Sequence, residues 1–189
     1  NENQEKPQYA VIAAVQLPEV SDAEFEASLA ELRELAKTLG FTVTRTFTQK
    51  RSGFDAAAYL GAGRREEIRD FINAEAVNAD DDARVSSEPV DILFVDHEIS
   101  PSQARNLENE VGCQVMDRTM VILEIFHRNA RSPAARAQVG IARLGYMAPR
   151  LREAAKLAGS QGRQRSGVGG RGAGESSTEL DKRKIRDRI

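Results

Sequence analysis

Residues 9–15, YAVIAAV, form an unbroken apolar run of strand length, the pattern of a strand covered on both faces. From Phe25 the rhythm changes. Phe25, Leu29, Leu32, Ala36 and Leu39 recur every three or four positions, Ser21 with Glu24 opens the segment as a capping box, and Gly40 closes it. That is an amphipathic helix. Residues 41–48, FTVTRTFT, alternate with β-branched side chains and predict a second strand. An irregular stretch starting at Lys50, Arg51 and Ser52 leads to a helix over residues 64–73, then to a loop over residues 74–88 carrying Asp80, Asp81 and Asp82. Residues 90–95, VDILFV, predict a third strand. Ser100, Pro101 and Gln103 have the order of an N-cap, a first helical position and a third, so a helix starts there and ends near Gly112. Residues 113–116 predict a short fourth strand, followed by an apolar turn over residues 120–126. Strand and helix thus alternate through four strands, the signature of a parallel sheet covered on both faces.

Beyond this the pattern becomes purely helical. Ser132-Pro133 repeats the cap-and-proline start, and Ala137, Ile141, Leu144, Ala148, Leu151, Ala155 and Ala158 keep the four-three spacing of a two-helix seam, with Pro149 predicting a kink. Residues 159–174, GSQGRQRSGVGGRGAG, contain Arg163, Arg165 and Arg171 but neither a carboxylate nor an aromatic ring, and cannot build a core of their own. Ser176 with Glu179 offers another capping box, and Leu180, Ile185 and Ile189 are the apolar positions of a helix that returns along the first. It breaks off in mid-pattern, so the natural chain is expected to continue. The expected architecture is α/β: a polar tail over residues 1–8, a subdomain over 9–130 with a four-stranded, mainly parallel sheet and flanking helices, and a helical arm over 131–189. In the arm a long antiparallel, coiled-coil-like helix pair is joined by the loop 159–174.

Composition narrows the function. With 40% apolar and 30% charged residues the chain reads as globular, no apolar run approaches a membrane span, and the chain does not open on a secretory signal pattern. A single cysteine, Cys113, excludes an intrachain disulfide and suits a reducing cytoplasm; its apolar neighbours favour a small buried hydrophobe over a catalytic thiol. The net charge of -2 hides a division. Residues 118–189 hold 16 Lys and Arg against six Asp and Glu, residues 1–117 hold 11 against 23, and 13 of the 16 are arginine, whose planar fork matches phosphate. An acidic body with a basic arm points to a nucleic-acid partner for the arm. Arg150, Arg152 and Lys156 precede the loop, and Lys182, Arg183, Lys184, Arg186 and Arg188 follow it. Of these, Arg150, Arg152, Lys156, Lys182, Arg183 and Arg186, together with Arg163, Arg165 and Arg171, are the candidate RNA-contacting set. The alternative is a solvated helix face and linker, with Asp181 and Asp187 pairing at helical spacing.

Other chemistry is weaker. Gly167, Gly169 and Gly172 have the spacing of a dinucleotide-binding loop but follow a helix where that loop requires a strand. The phosphate-loop pattern of nucleoside triphosphatases is absent from the sequence, so no catalytic residue is assigned. In a parallel sheet ligands bind beyond the carboxyl ends of the strands, where Lys50, Arg51, Asp96, His97, Glu98, Asp117 and Arg118 fall. Two readings stay open there. One is a nucleotide or metal site, which would make the chain a nucleotide-binding or sensing domain with a helical dimerisation arm. The other, simpler one has Arg118 pairing with Asp96 or Asp117 to fasten loops. His127 lies among apolar helix positions and reads as a packed or surface residue.

Several stretches in order resemble the N-terminal region of the HflX family of ribosome-associated GTP-binding proteins. They are Tyr59-Leu60-Gly61-Ala62-Gly63-Arg64; residues 99–108, ISPSQARNLE; Val115-Met116-Asp117-Arg118-Thr119 with residues 122–126, ILEIF; Gln138 through Pro149-Arg150-Leu151; and Gly170-Arg171-Gly172-Ala173-Gly174-Glu175. The sequence departs from the usual pattern at Arg64, at Ala173 and over residues 176–179. The resemblance implies an α/β subdomain followed by an antiparallel helix pair whose connecting loop reaches ribosomal RNA near the peptidyl-transferase centre of the large subunit. It also implies a GTPase domain after Ile189, which would hold GTP and Mg2+. The implied role is the splitting or recycling of stalled or idle ribosomes by a cytoplasmic monomer.

Overall fold

The structure, a computed structural model, describes residues 6–79 and 89–163. Its first strand, β1 (Gln8–Gln16), is the apolar run, and it takes the centre of the sheet because both its faces are apolar. α1 (Asp22–Thr38) follows, with Ser21 Oγ accepting the Glu24 N–H at 3.2 Å and Gly40 at φ 88° ending the turn after it. β2 (Phe41–Lys50) pairs with β1 in parallel, and the register slips between Ala10 and Val11, which leaves Thr44 unmatched. β3 (Val90–Val95) pairs with the other side of β1, and β4 (Gln114–Asp117) with β3, so the strand order is β2-β1-β3-β4 and every pairing is parallel. The doubly covered parallel sheet read from the alternation is therefore the fold.

The helices divide the core in two. Ala10, Ile12 and Ala14 of β1, with Ile92 and Phe94 of β3, pack against Phe25, Leu29, Leu32 and Ala36 of α1. Val11, Ala13 and Val15, with Leu93 and Val95, face the opposite side, where Ile68 and Ile72 of α2 (Ala62–Ala79) and Leu107 and Val111 of α3 (Pro101–Val111) close it. Since successive side chains of a strand alternate faces, one seven-residue run supplies both layers.

Three expectations are corrected. α2 begins at Ala62, because Gly61 C=O already accepts the Arg65 N–H, and it runs through the helix-forming stretch 74–79 that the sequence suggested as loop. The apolar turn at 120–126 is instead a helix, α4 (Arg118–Asn129): Asp117 Oδ1 accepts the Met120 N–H at 2.9 Å and so caps it. α5 (Pro133–Arg163), capped by Ser132 Oγ on the Ala135 N–H, continues across Pro149 and past Gly159, where the loop was expected to start. Propagating a long helix gains one backbone bond per residue, which carries it into a glycine-rich stretch. The rest of the loop and the returning helix lie outside the described residues. The chain divides into two compact units, Asn1–Ile125 and Phe126–Ile189, so the division falls inside α4; the boundary read from the sequence follows that helix's end.

Candidate functional site

At the carboxyl ends of β3 and β4 the charged residues found in the sequence come together, and they serve one another. Asp96 is 4% exposed. Arg118 donates to Asp96 Oδ1 at 2.7 Å and to its carbonyl at 3.1 Å, to the Ser28 carbonyl and Oγ at 2.8 and 2.9 Å, and to Glu31 Oε1 at 2.9 Å. Ser28 Oγ in turn donates to the Asp96 carboxylate. A buried carboxylate without such partners would carry a large desolvation cost. The crevice between β1 and β3, where the strand order reverses and a doubly wound sheet would take a ligand, is thus bordered by an internal ion pair. Asp117 is a structural residue as well: its second oxygen accepts the Ile99 N–H at 3.0 Å.

His97 turns away from Asp96 towards Tyr59, which is fully buried and adopts φ 72°. The Tyr59 hydroxyl accepts the Val15 N–H at 3.0 Å and is hydrogen-bonded to His97 Nδ1, 2.5 Å away. Burial holds the imidazole below its ordinary 6.5, with Asp96 acting against and Arg118 along with that shift. Phe54 packs on both rings, with centroids 5.0 and 4.7 Å away. Glu98 is exposed, so Asp96, His97 and Glu98 serve three separate ends, and among the described residues no cluster of three His, Cys, Asp or Glu forms a metal site. Burial, with Glu108 nearby, pushes the Cys113 thiol up to about 12, which removes it as a nucleophile at neutral pH.

Lys50 and Arg51 lie elsewhere, at the ends of β1 and β2. With Gln16, Ser21, Asp22 and Ser52 they line an open cavity of about 610 Å³. Arg51 is drawn into its own loop through Nε to the Gly53 carbonyl at 3.1 Å, and Gln16 Nε2 reaches Asp22 at 2.8 Å. Sequence reasoning missed Ser28, Glu31 and Asp55. Asp55 Oδ1 accepts the N–H groups of Ala57 and Ala58, which holds its pKa down, and Gln103 Nε2 and Asn106 Nδ2 of α3 bond the Asp55 and Ala57 carbonyls. The Asx turn over residues 55–58 was the one local signal.

In the second unit, α5 carries the first part of the basic set. Arg150 lies 3.9 Å above the Tyr146 ring and donates to its hydroxyl at 2.7 Å, an i,i+4 pair. Arg152 is exposed, and the Lys156 side chain, 75% exposed, stands 3.7 Å from Glu153. Such a pair is worth about 0–1 kcal/mol and leaves the ammonium available to another anion. Arg163 ends α5. Arg165, Arg171, Lys182, Arg183 and Arg186 lie outside the described residues.

Residues 26–127 match the family described as GTP-binding GTPase N-terminal, and residues 129–189 match the GTP-binding GTPase middle region. A GTPase HflX of Gluconacetobacter diazotrophicus is 45% identical over 95% of the chain and 44% of its own length. The GTPase HflX of Escherichia coli strain K12 is 34% identical over 95% of the chain and 38% of its own length. The chain therefore spans less than half the length of these curated relatives. Among solved structures, the complex of SsGBP with GDP superimposes with a TM-score of 0.58 at 19% identity, over 96% of the chain and 42% of that protein. A GTP-binding protein of Sulfolobus solfataricus in complex with GDP gives 0.52 at 19%, over 95% and 45%. At that identity the likeness speaks for the fold.

Proposed function

Since the chain belongs to the HflX family of GTPases, of which it carries the N-terminal and middle regions, we propose that it is the part with which such a GTPase holds the large ribosomal subunit. The basic arm, residues 131–189, lies on ribosomal RNA: Arg150, Arg152 and Lys156 from α5, Arg163, Arg165 and Arg171 from the glycine-rich segment, and Lys182, Arg183 and Arg186 beyond it. GTP and Mg2+ belong to a GTPase domain following residue 189, and the whole acts as a cytoplasmic monomer that splits stalled or idle ribosomes.

The observation that carries this reading is the segregation of charge: 16 basic against six acidic residues from Arg118 onward, in a chain whose net charge is -2. Arginine-rich segments commonly fold on RNA, and phosphate contacts release counterions. If about six phosphates are contacted, log affinity for large subunits falls against log salt with a slope on the order of -4 to -5. Replacing Arg163, Arg165 and Arg171 together by alanine weakens binding and makes that slope shallower by about 2–3. Sedimentation of the chain with large subunits across a salt series measures both. Wild-type affinity in the triple variant would overturn the proposal.

A further inference from the structure

α5 has a weak turn just where its basic stretch begins. Pro149 has no N–H to give the Gly145 carbonyl one turn before it, so the backbone ladder lacks a rung there, yet the helix runs on from Pro133 to Arg163. A side-chain pair spans that same turn. Tyr146 and Arg150 stand at i and i+4, hence on one face of the helix. The Arg150 guanidinium carbon lies 3.9 Å from the centre of the Tyr146 ring, and Nη2 donates to the tyrosine hydroxyl at 2.7 Å. Both residues are half-buried. Arg152 is exposed, and the Lys156 ammonium, on a side chain 75% exposed, stands 3.7 Å from Glu153. Arg150, by contrast, is held against a rigid ring.

We propose that Tyr146 is a positioning residue for RNA binding, which presents the Arg150 guanidinium to phosphate. A long, freely rotating side chain gives up its freedom when it meets a phosphate, and that ordering weakens binding. The stack and the hydroxyl bond order Arg150 beforehand, and a hydroxyl engages only part of a guanidinium's set of N–H donors, so the planar fork is oriented without being used up. This inference rests on the reading of the arm as an RNA-contacting surface.

The test measures binding of the whole chain to large ribosomal subunits by sedimentation across a salt series. Tyr146→Leu removes the ring and the hydroxyl, while leucine forms helix at least as readily as tyrosine. Its affinity falls about two- to tenfold with the salt slope of the wild type, because the charge stays and only its ordering is lost. Tyr146→Phe, which keeps the stack and the fold, loses less. Arg150→Ala removes the contact itself, so there the slope becomes shallower by about 1. In the Arg150→Ala background Tyr146→Leu adds no further loss, the mark of a residue that acts through another. Wild-type affinity in Tyr146→Leu or in Arg150→Ala overturns the inference and leaves the other cations of the arm reading standing. So does a loss from Tyr146→Leu that is as large without Arg150 as with it, which would mean that the ring meets RNA itself or only steadies the helix. If the unaltered chain binds large subunits without salt dependence, the arm reading itself fails and takes the inference with it.

Discussion

Tyr59 shows how much one residue decides in the sheet unit. Its φ of 72° costs energy that a glycine would not incur, and it persists because the ring is fully buried and its hydroxyl serves two partners. Tyr59→Phe keeps the ring and leaves the buried Val15 N–H without its acceptor, so a loss of about 1–3 kcal/mol is expected in urea denaturation. Burial also holds the His97 imidazole below its ordinary 6.5. The sign of the pH dependence follows. The unfolded imidazole gains its proton near 6.5 and the folded one only at lower pH, so the unfolded chain binds more protons between the two values. This contribution is complete above 6.5 and declines as pH falls towards the folded value. Nothing in the letters around Tyr59 announces the pairing with His97, since the two meet only through the sheet. Gly61 has a similar tertiary reason: an added Cβ would sit 2.6 Å from the Arg51 guanidinium and 2.8 Å from the Gln49 amide, whose oxygen accepts the Gly61 N–H.

Elements whose ends are settled by neighbours in sequence were readable, and α3 is the clearest. Ser100 Oγ accepts the Gln103 N–H at 3.1 Å and Gln103 Oε1 accepts the Ser100 N–H at 2.9 Å, a complete capping box with Pro101 behind it. Gln103 does more than cap. Its Nε2 donates to the Asp55 carbonyl, tying the helix start to the loop that presents Tyr59. Ser100→Ala should therefore cost about 1 kcal/mol, and Gln103→Ala more, because the loop tie goes with the cap. Comparing the two denaturation midpoints checks the ordering; equal losses would show that the tie contributes nothing. α4 was misread because its cap, Asp117, also ends a strand, and because its apolar residues crowd together where a surface helix would space them. α2 was shortened for the opposite reason, a tail of alanine and polar residues with no apolar stripe to betray a helix.

For the whole molecule, position of charge matters more than its sum. Arg152→Glu with Lys156→Glu, on exposed positions of α5, should lower affinity for a single-stranded RNA such as polyuridylate by about tenfold or more at low salt. Arg33→Glu with Lys37→Glu, on exposed positions of α1, changes the net charge equally and should leave binding nearly unchanged, because the proposed phosphate contacts belong to the arm and not to α1. Filter binding of the two variants side by side decides whether the arm or the overall charge is responsible.

By itself the sequence determined the layer architecture, most of the elements and the division into an acidic body and a basic arm. All three depend on periodicity, caps and residue counts, which are properties of neighbours along the chain. Tertiary structure decided which charges are available. Asp96, His97, Asp117 and Arg118 look like the makings of a ligand site when read in order. Only the β2-β1-β3-β4 order and the placement of α1 bring Ser28 and Glu31 to Arg118 and Tyr59 to His97. A buried polar group is satisfied by whatever the fold carries to it, and those partners lie up to 90 residues away in the chain.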